Sequence, residues 1–250
     1  LFNRTSHSVV LTEDGLLFKR RAQEIVALSE KTKRDFIRGN RELSGEIGIG
    51  CGEFRSIQII AQIMKEFKKE HPFVTFQIYS GNSSNIKERI ESGILDIGVI
   101  LDYVDIRKYE YVRIPLSEEW GVLVREDSPL AAMEYVTPED IRELPLIISE
   151  RSMRDNELAD WIGKKYEDLN IVSTYNLMYN AAIMVANGMG VAGCIKLDCR
   201  YEGTRFVPAR PSVKNNSVFA WKKALSQSQA VSSFIEFSRI YIKRISSNTT

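Results

Sequence analysis

The side chains of this chain that could act on a small molecule fall in five short polar stretches: Cys51-Gly52-Glu53, Gly81-Asn82-Ser83-Ser84, Leu101-Asp102, Ser149-Glu150-Arg151 and Asn176-Leu177-Met178-Tyr179. Each begins where an apolar run stops. Small residues there let a ligand approach the backbone, and the unpaired N–H groups of a helix that starts at such a turn favour an anion such as a carboxylate. Arg151 adds to that preference. Glu53 works the other way, because it would reject an acid or hold an amine; a zwitterion satisfies both. Plainer readings stand beside these. Asn82 or Ser83 can serve only as an N-cap, Arg151 can pair only with Glu150, Asp155 or solvent, and Trp120, Tyr175 and Tyr179 can be core or rim rather than ligand platforms.

Catalytic signatures are missing from the sequence. There is no Gly-x-Ser-x-Gly elbow, phosphate loop or dinucleotide glycine fingerprint. Neither histidine falls at a strand end: His7 sits in a polar hairpin tip, and His71 precedes Pro72 at a helix stop. Glu53 or Asp102 as a general base has no evident partner, so the expectation is a protein that is not an enzyme. Three cysteines, Cys51, Cys194 and Cys199, form no CxxC pair. That argues against a disulfide framework or a metal site and for buried free thiols, with a Cys194–Cys199 redox pair as the alternative. No cofactor is expected.

The elements that must position the polar stretches read as alternating strands and helices. With 250 residues and 44% hydrophobic content, the chain can bury a sizeable core. "GEIGIGC" (45–51) is a strand, and "FRSIQIIAQIMKEFKKEH" (54–71) a helix with Ile57, Ile60, Ala61, Met64 and Phe67 on one face, ended by Pro72. "FVTFQIYS" (73–80) alternates as a strand, a short helix follows from Ser83, Gly93 caps it, and "ILDIGVIL" (94–101) is a buried parallel strand. The order βαβαβ implies a parallel sheet. "LPLIIS", "DNELADWIGKKY", "NIVSTYN", "AAIMVANG" and "MGVAGCI" repeat the scheme between residues 144 and 195. Asn82 to Ile100 and Asn176 to Ile195 share one plan of polar turn, helix, glycine and buried strand. The expected fold is therefore α/β, two Rossmann-like lobes with a cleft, joined by two crossover strands, "SEEWGVLVRE" (117–126) and "SVFAWKK" (217–223). A last helix from Gln227 to Lys243 then packs back on the first lobe. In such sheets ligands sit at the carboxyl ends of the strands, so all five polar stretches should face one cleft.

In front of the lobes, Thr12 to Arg38 reads as one helix capped by Thr12 and stopped by Gly39-Asn40, about 40 Å long at 1.5 Å per residue. Phe18, Ala22, Ile25, Ser29, Thr32 and Phe36 are spaced as a seam for a partner helix. A helix lying on its own body is the alternative. Residues 1–44 carry nine Lys and Arg against six acids, a balance of +3 where the whole chain has +1. This suits either an anionic partner or a solvated helix face. No apolar run approaches the roughly 20 residues of a membrane span, and "LFNRTSHSVV" lacks signal-peptide order, so the expected location is cytoplasmic with no membrane contact.

These motifs resemble one family. "LFNRTSHSVVLTEDGLLFKRRAQEI", through Leu1, Phe2, Arg4, Val10, Leu11, Thr12 and Gly15, is similar to the wing and linker helix of LysR-type transcriptional regulators. Gly81, Gly93, Asp96, Gly98, Gly188 and Gly190 carry a likeness to their effector-binding domain, a fold of the type II periplasmic-binding-protein kind. The absence of a proline in "GCIKLDC" (193–199) departs from the pattern. The resemblance implies a remnant of a winged helix-turn-helix at 1–11 with Arg4 contacting DNA, a linker helix at 12–40, lobe I at 45–118 and 220–250, and lobe II at 119–219. It also implies partners: a small-molecule effector (a small organic acid or amino acid-like compound), DNA in the full-length protein, and a second copy in a homodimer or homotetramer. A transporter's solute-binding receptor would share the lobed body.

Overall fold

The computed structural model of the chain describes residues 1–4, 8–36, 43–101, 106–150, 157–223 and 227–247. Asp102, Arg151 and the Gly39-Asn40 stop lie outside the described residues, as does His7. Strands β1 (Phe2–Arg4) and β2 (Val9–Leu11) pair antiparallel as a small hairpin. Helix α1 follows at Glu13–Phe36. Thr12 caps it: its hydroxyl accepts the Gly15 N–H at 3.0 Å, and Glu13 and Asp14 set negative charge against the positive end of the helix dipole.

The body repeats one motif twice. In lobe I, β3 (Ser44–Cys51) leads to α2 (Ile57–Glu70), β4 (Phe73–Ser80), α3 (Ser83–Glu91) and β5 (Ile97–Leu101), with β3 parallel to both β4 and β5. The long strand β6 (Tyr109–Arg125) then crosses over. After the short helix α4 (Pro138–Ile141) come β7 (Leu146–Ser149), α5 (Glu157–Ile162), β8 (Ile171–Tyr175), α6 (Met178–Ala186) and β9 (Val191–Ile195). Again the first strand, β7, lies parallel between the other two. Strand β10 (Thr204–Pro208) pairs with β6, β11 (Lys214–Lys222) returns to lobe I beside β5, and α7 (Gln229–Ser247) closes the chain. Each lobe thus has the order second, first, third, followed by one antiparallel crossover strand.

Glycine spacing sets how close α3 comes to its sheet. Gly50 and Gly98 are partners across β3 and β5. A Cβ on Gly50 would meet Ile86 Cγ2 at 2.8 Å, and one on Gly98 would meet Ile90 Cδ1 at 2.8 Å. Ile86 and Ile90 are fully buried over those gaps. Asp96 locks the same corner, since its carboxylate accepts the Gly48 N–H at 2.8 Å. Gly93 (φ +75°) and Gly188 (φ +77°) end α3 and α6 in the left-handed conformation that only glycine adopts cheaply.

Several expectations shift. The buried face of α2 is Ile60, Ile63 and Phe67, with Ala61 exposed, because the aromatic core of lobe I draws the helix round. There Phe67 and Phe76 meet Phe234 of α7, their centroids 5.1 and 5.0 Å away. The crossover strand begins at Tyr109, not Ser117, and passes through Pro115. That proline falls where β11 slips register between Asn216 and Val218, so no ladder N–H is lost. On α1 the exposed apolar side chains are Leu16, Leu17, Phe18, Ile25, Val26 and Leu28, whereas Ala22 is half-buried.

Candidate functional site

A cavity of about 110 Å³, room for several water molecules, opens between the lobes at the carboxyl ends of the parallel strands. Lobe I supplies Gly52 and Glu53 after β3, and Gly81, Asn82 and Ser83 at the start of α3; lobe II supplies Ser149 at the end of β7, and Asn176 and Met178 at the start of α6. Trp120 and Cys194 also line it. The two helices aim their N-terminal ends at this space because the same βα turn recurs in both lobes. Asn82 caps α3, its Oδ1 accepting the Asn85 N–H at 2.9 Å. Ser83 is a buried polar residue on that turn.

Of the residues expected from the sequence, the structure brings Gly52, Glu53, Asn82, Ser83, Ser149, Asn176 and Met178 together around this cavity. It does not bring in Cys51, Ser84 or Tyr179. Cys51 is the last residue of β3 and points into the lobe I core, with its Sγ donating to its neighbour's carbonyl, Gly52 O, at 2.9 Å. Ser84 faces solvent one residue along α3. Tyr179 is 63% exposed and rests against Tyr201, its ring centroid 6.4 Å away. Strand and helix periodicity explains all three, since a neighbour of a cleft residue points away from the cleft.

Glu53 faces the other lobe. Its Oε2 accepts the backbone N–H of Met178, the first residue of α6, at 2.7 Å. Beneath it lies Glu118 of β6, fully buried, whose two oxygens accept the N–H groups of Ser56 at 3.0 Å and Arg55 at 3.2 Å. Sequence reading missed Glu118 because Glu118-Glu119 in a polar stretch looks solvent-facing. Burial pushes the Cys51 thiol up to about 12, with Glu118 adding to the effect. Burial likewise lifts the Cys194 thiol to about 12. A thiol held so far up is not a thiolate near neutrality, whereas Cys199, five residues on, is exposed. Burial, and then a hydrogen bond with Cys199, also raise the Tyr201 phenol.

Among the described residues no cluster of three His, Cys, Asp or Glu side chains could hold a metal ion. No helix among them is long and apolar enough to cross a membrane. His71 lies against Phe67, ring centroids 4.5 Å apart and tilted by 54°, and does not line the cavity.

Comparison with known proteins gives this geometry a setting. Residues 40–241 match the LysR substrate binding domain model. The HTH-type transcriptional regulator YwqM of Bacillus subtilis is 33% identical over 167 residues, 64% of this chain and 56% of that protein. YfeR of Shigella flexneri, likewise named an HTH-type transcriptional regulator, is 26% identical over 193 residues, 77% of this chain and 62% of its own length. The chain thus spans less than two thirds of these relatives. Among solved structures, the effector binding domain of QuiR in complex with shikimate superposes with a TM-score of 0.69 at 18% identity, covering 81% of this chain and 99% of that one. CbnR, a LysR family transcriptional regulator, superposes at 0.71 with 16% identity, covering 93% and 82%. At such identities these two show a shared fold. A paired-lobe body with one cleft, matched along most of its length by a single family model, places this chain in the LysR substrate-binding-domain family.

Proposed function

We propose that this chain is the effector-sensing part of a LysR-type transcriptional regulator that is cytoplasmic and not an enzyme. The observation that carries the reading is the inter-lobe cavity, walled by the N-terminal turns of α3 and α6 in a chain of this family. Its division is residues 1–11 as part of a wing, 12–40 as linker helix, 45–118 with 220–250 as lobe I, and 119–219 as lobe II. Gly52, Glu53, Asn82, Ser83, Ser149, Asn176 and Met178 contact the effector, with Asp102 and Arg151 as further candidates. In the full-length protein Arg4 touches DNA. Effector binding alters lobe closure, closure alters how two or four copies pack, and the packing sets how the linker helices hold paired DNA-reading heads on their half-sites. The exposed apolar residues of α1 support association through that helix. A transporter receptor is not favoured, because the relatives are transcriptional regulators.

Thermal-shift screening against amino acids and small organic acids tests the site, since a ligand that binds only the folded state stabilises it by about 2.7 kcal/mol at a hundred times its Kd. Ser83→Trp fills the cavity and should abolish the shift of any compound that stabilises the wild type. An unchanged shift in that variant would move the site elsewhere.

A further inference from the structure

Two sets of contacts cross the cleft, and both leave from the turn between β3 and α2 and the first turn of that helix. Glu53 Oε2 accepts the Met178 N–H of α6 at 2.7 Å. Three residues of the chain make the second set: Arg55 Nε donates to both oxygens of Asp198 at 3.0 and 3.1 Å, and Gln58 Nε2 donates to Asp198 Oδ2. Asp198 lies on the loop between β9 and β10, so lobe II is gripped at a helix end and at a loop. The turn itself is anchored from below. Glu118 takes its Arg55 and Ser56 N–H groups, and Glu118 belongs to β6, the strand that both lobes share. A turn fixed to the crossover on one side and to lobe II on the other sets the distance between the lobes, and it does so with the chain's own groups.

We infer that Glu53 and Asp198 form a two-point latch by which the chain closes its own cleft, so that an effector reaching the α6 end of the cavity competes with the Glu53 carboxylate. The two points differ in strength. A carboxylate on a helix N-terminal N–H is charge-assisted and favoured by the helix dipole. The Arg55–Asp198 pair, with side chains 27% and 42% exposed, is screened by solvent and contributes less. Because both points span the same hinge, one opening motion releases both, and weakening either one should loosen the other. Deletion of a favourable contact at a distance thus has a local readout. The inference deepens the reading of the cleft as effector site and rests on it.

Amide hydrogen exchange on the 250-residue chain tests the latch. Asp198→Asn is the deciding variant, because the hydrogen bonds of Asp198 go to Arg55 and Gln58 and not to Glu53 or Met178. The Met178 amide should exchange about two- to fivefold faster in it than in the wild type. In Glu53→Gln, which keeps shape but loses charge, the increase should be on the order of tenfold. The amide of Ile49, fully buried in β3, serves as the reference and should keep its wild-type rate in both variants. Wild-type exchange at Met178 in Asp198→Asn would overturn the latch. So would an equal acceleration at Ile49, which would mean general loosening. Asp198 is surface-exposed, so the test stands even if Glu53→Gln folds poorly. Loss of the latch result with Ser83→Trp still blocking ligand would leave the effector site in place, and the reverse pattern would remove the site alone.

Discussion

Cys51 ends a strand at the edge of the cleft and yet turns its sulfur inward, whereas Gly52 and Glu53, the next two residues, line the cavity. Such one-residue reversals are how side-chain direction sorts the candidate site, and the cysteines show the chemical consequence. Cys51 and Cys194 are buried with thiols raised to about 12, while Cys199 is exposed. Iodoacetamide at pH 8 reacts with thiolate. It should therefore modify Cys199 alone in the folded chain and all three cysteines in denaturant, as read by peptide mass spectrometry. Native modification of Cys51 or Cys194 at the rate of Cys199 would contradict their burial.

Helix α1 raises a different question at the scale of the element. Of its apolar side chains, Phe18 is 61% and Ile25 is 68% exposed, which a helix resting on its own body would not leave to water. Toward lobe I, Arg20 stands 4.0 Å from Glu88, an exposed pair. Ile25→Glu places a charge in the middle of that apolar stripe. It should shift sedimentation from dimer or tetramer toward monomer at micromolar concentration while leaving the far-ultraviolet circular dichroism unchanged. A variant that sediments like the wild type would mean that the exposed stripe is not where copies meet.

Strand β6 decides the behaviour of the molecule as a whole. Its first part pairs with β11 in lobe I and its last part with β9 and β10 in lobe II, so neither lobe has a complete sheet without the other's chain. Lobes built this way should unfold together. Urea titration is expected to give one transition, with coincident midpoints from circular dichroism and from tryptophan fluorescence, which samples Trp120 and Trp161 in lobe II and Trp221 in lobe I. Two resolved transitions would show that the shared strand does not couple the lobes. At the crossover Lys196, just past β9, pairs with Glu119 of β6 at 3.2 Å.

The repeated βαβ plan, the glycine caps at Gly93 and Gly188, the capped helix in front and the gathering of polar turns at strand ends are all legible in the residue pattern. All of these depend on periodicity and backbone freedom within a dozen residues. Tertiary structure alone decided that Glu53 reaches Met178 across 125 positions, that Glu118 is buried beneath the turn, that α2 buries Ile63 in place of Ala61, and that Tyr109 to Leu116 with Pro115 joins the crossover strand. Those outcomes depend on distances between segments far apart in the chain, and a local pattern of residue types carries no information about which two segments the packing will bring face to face.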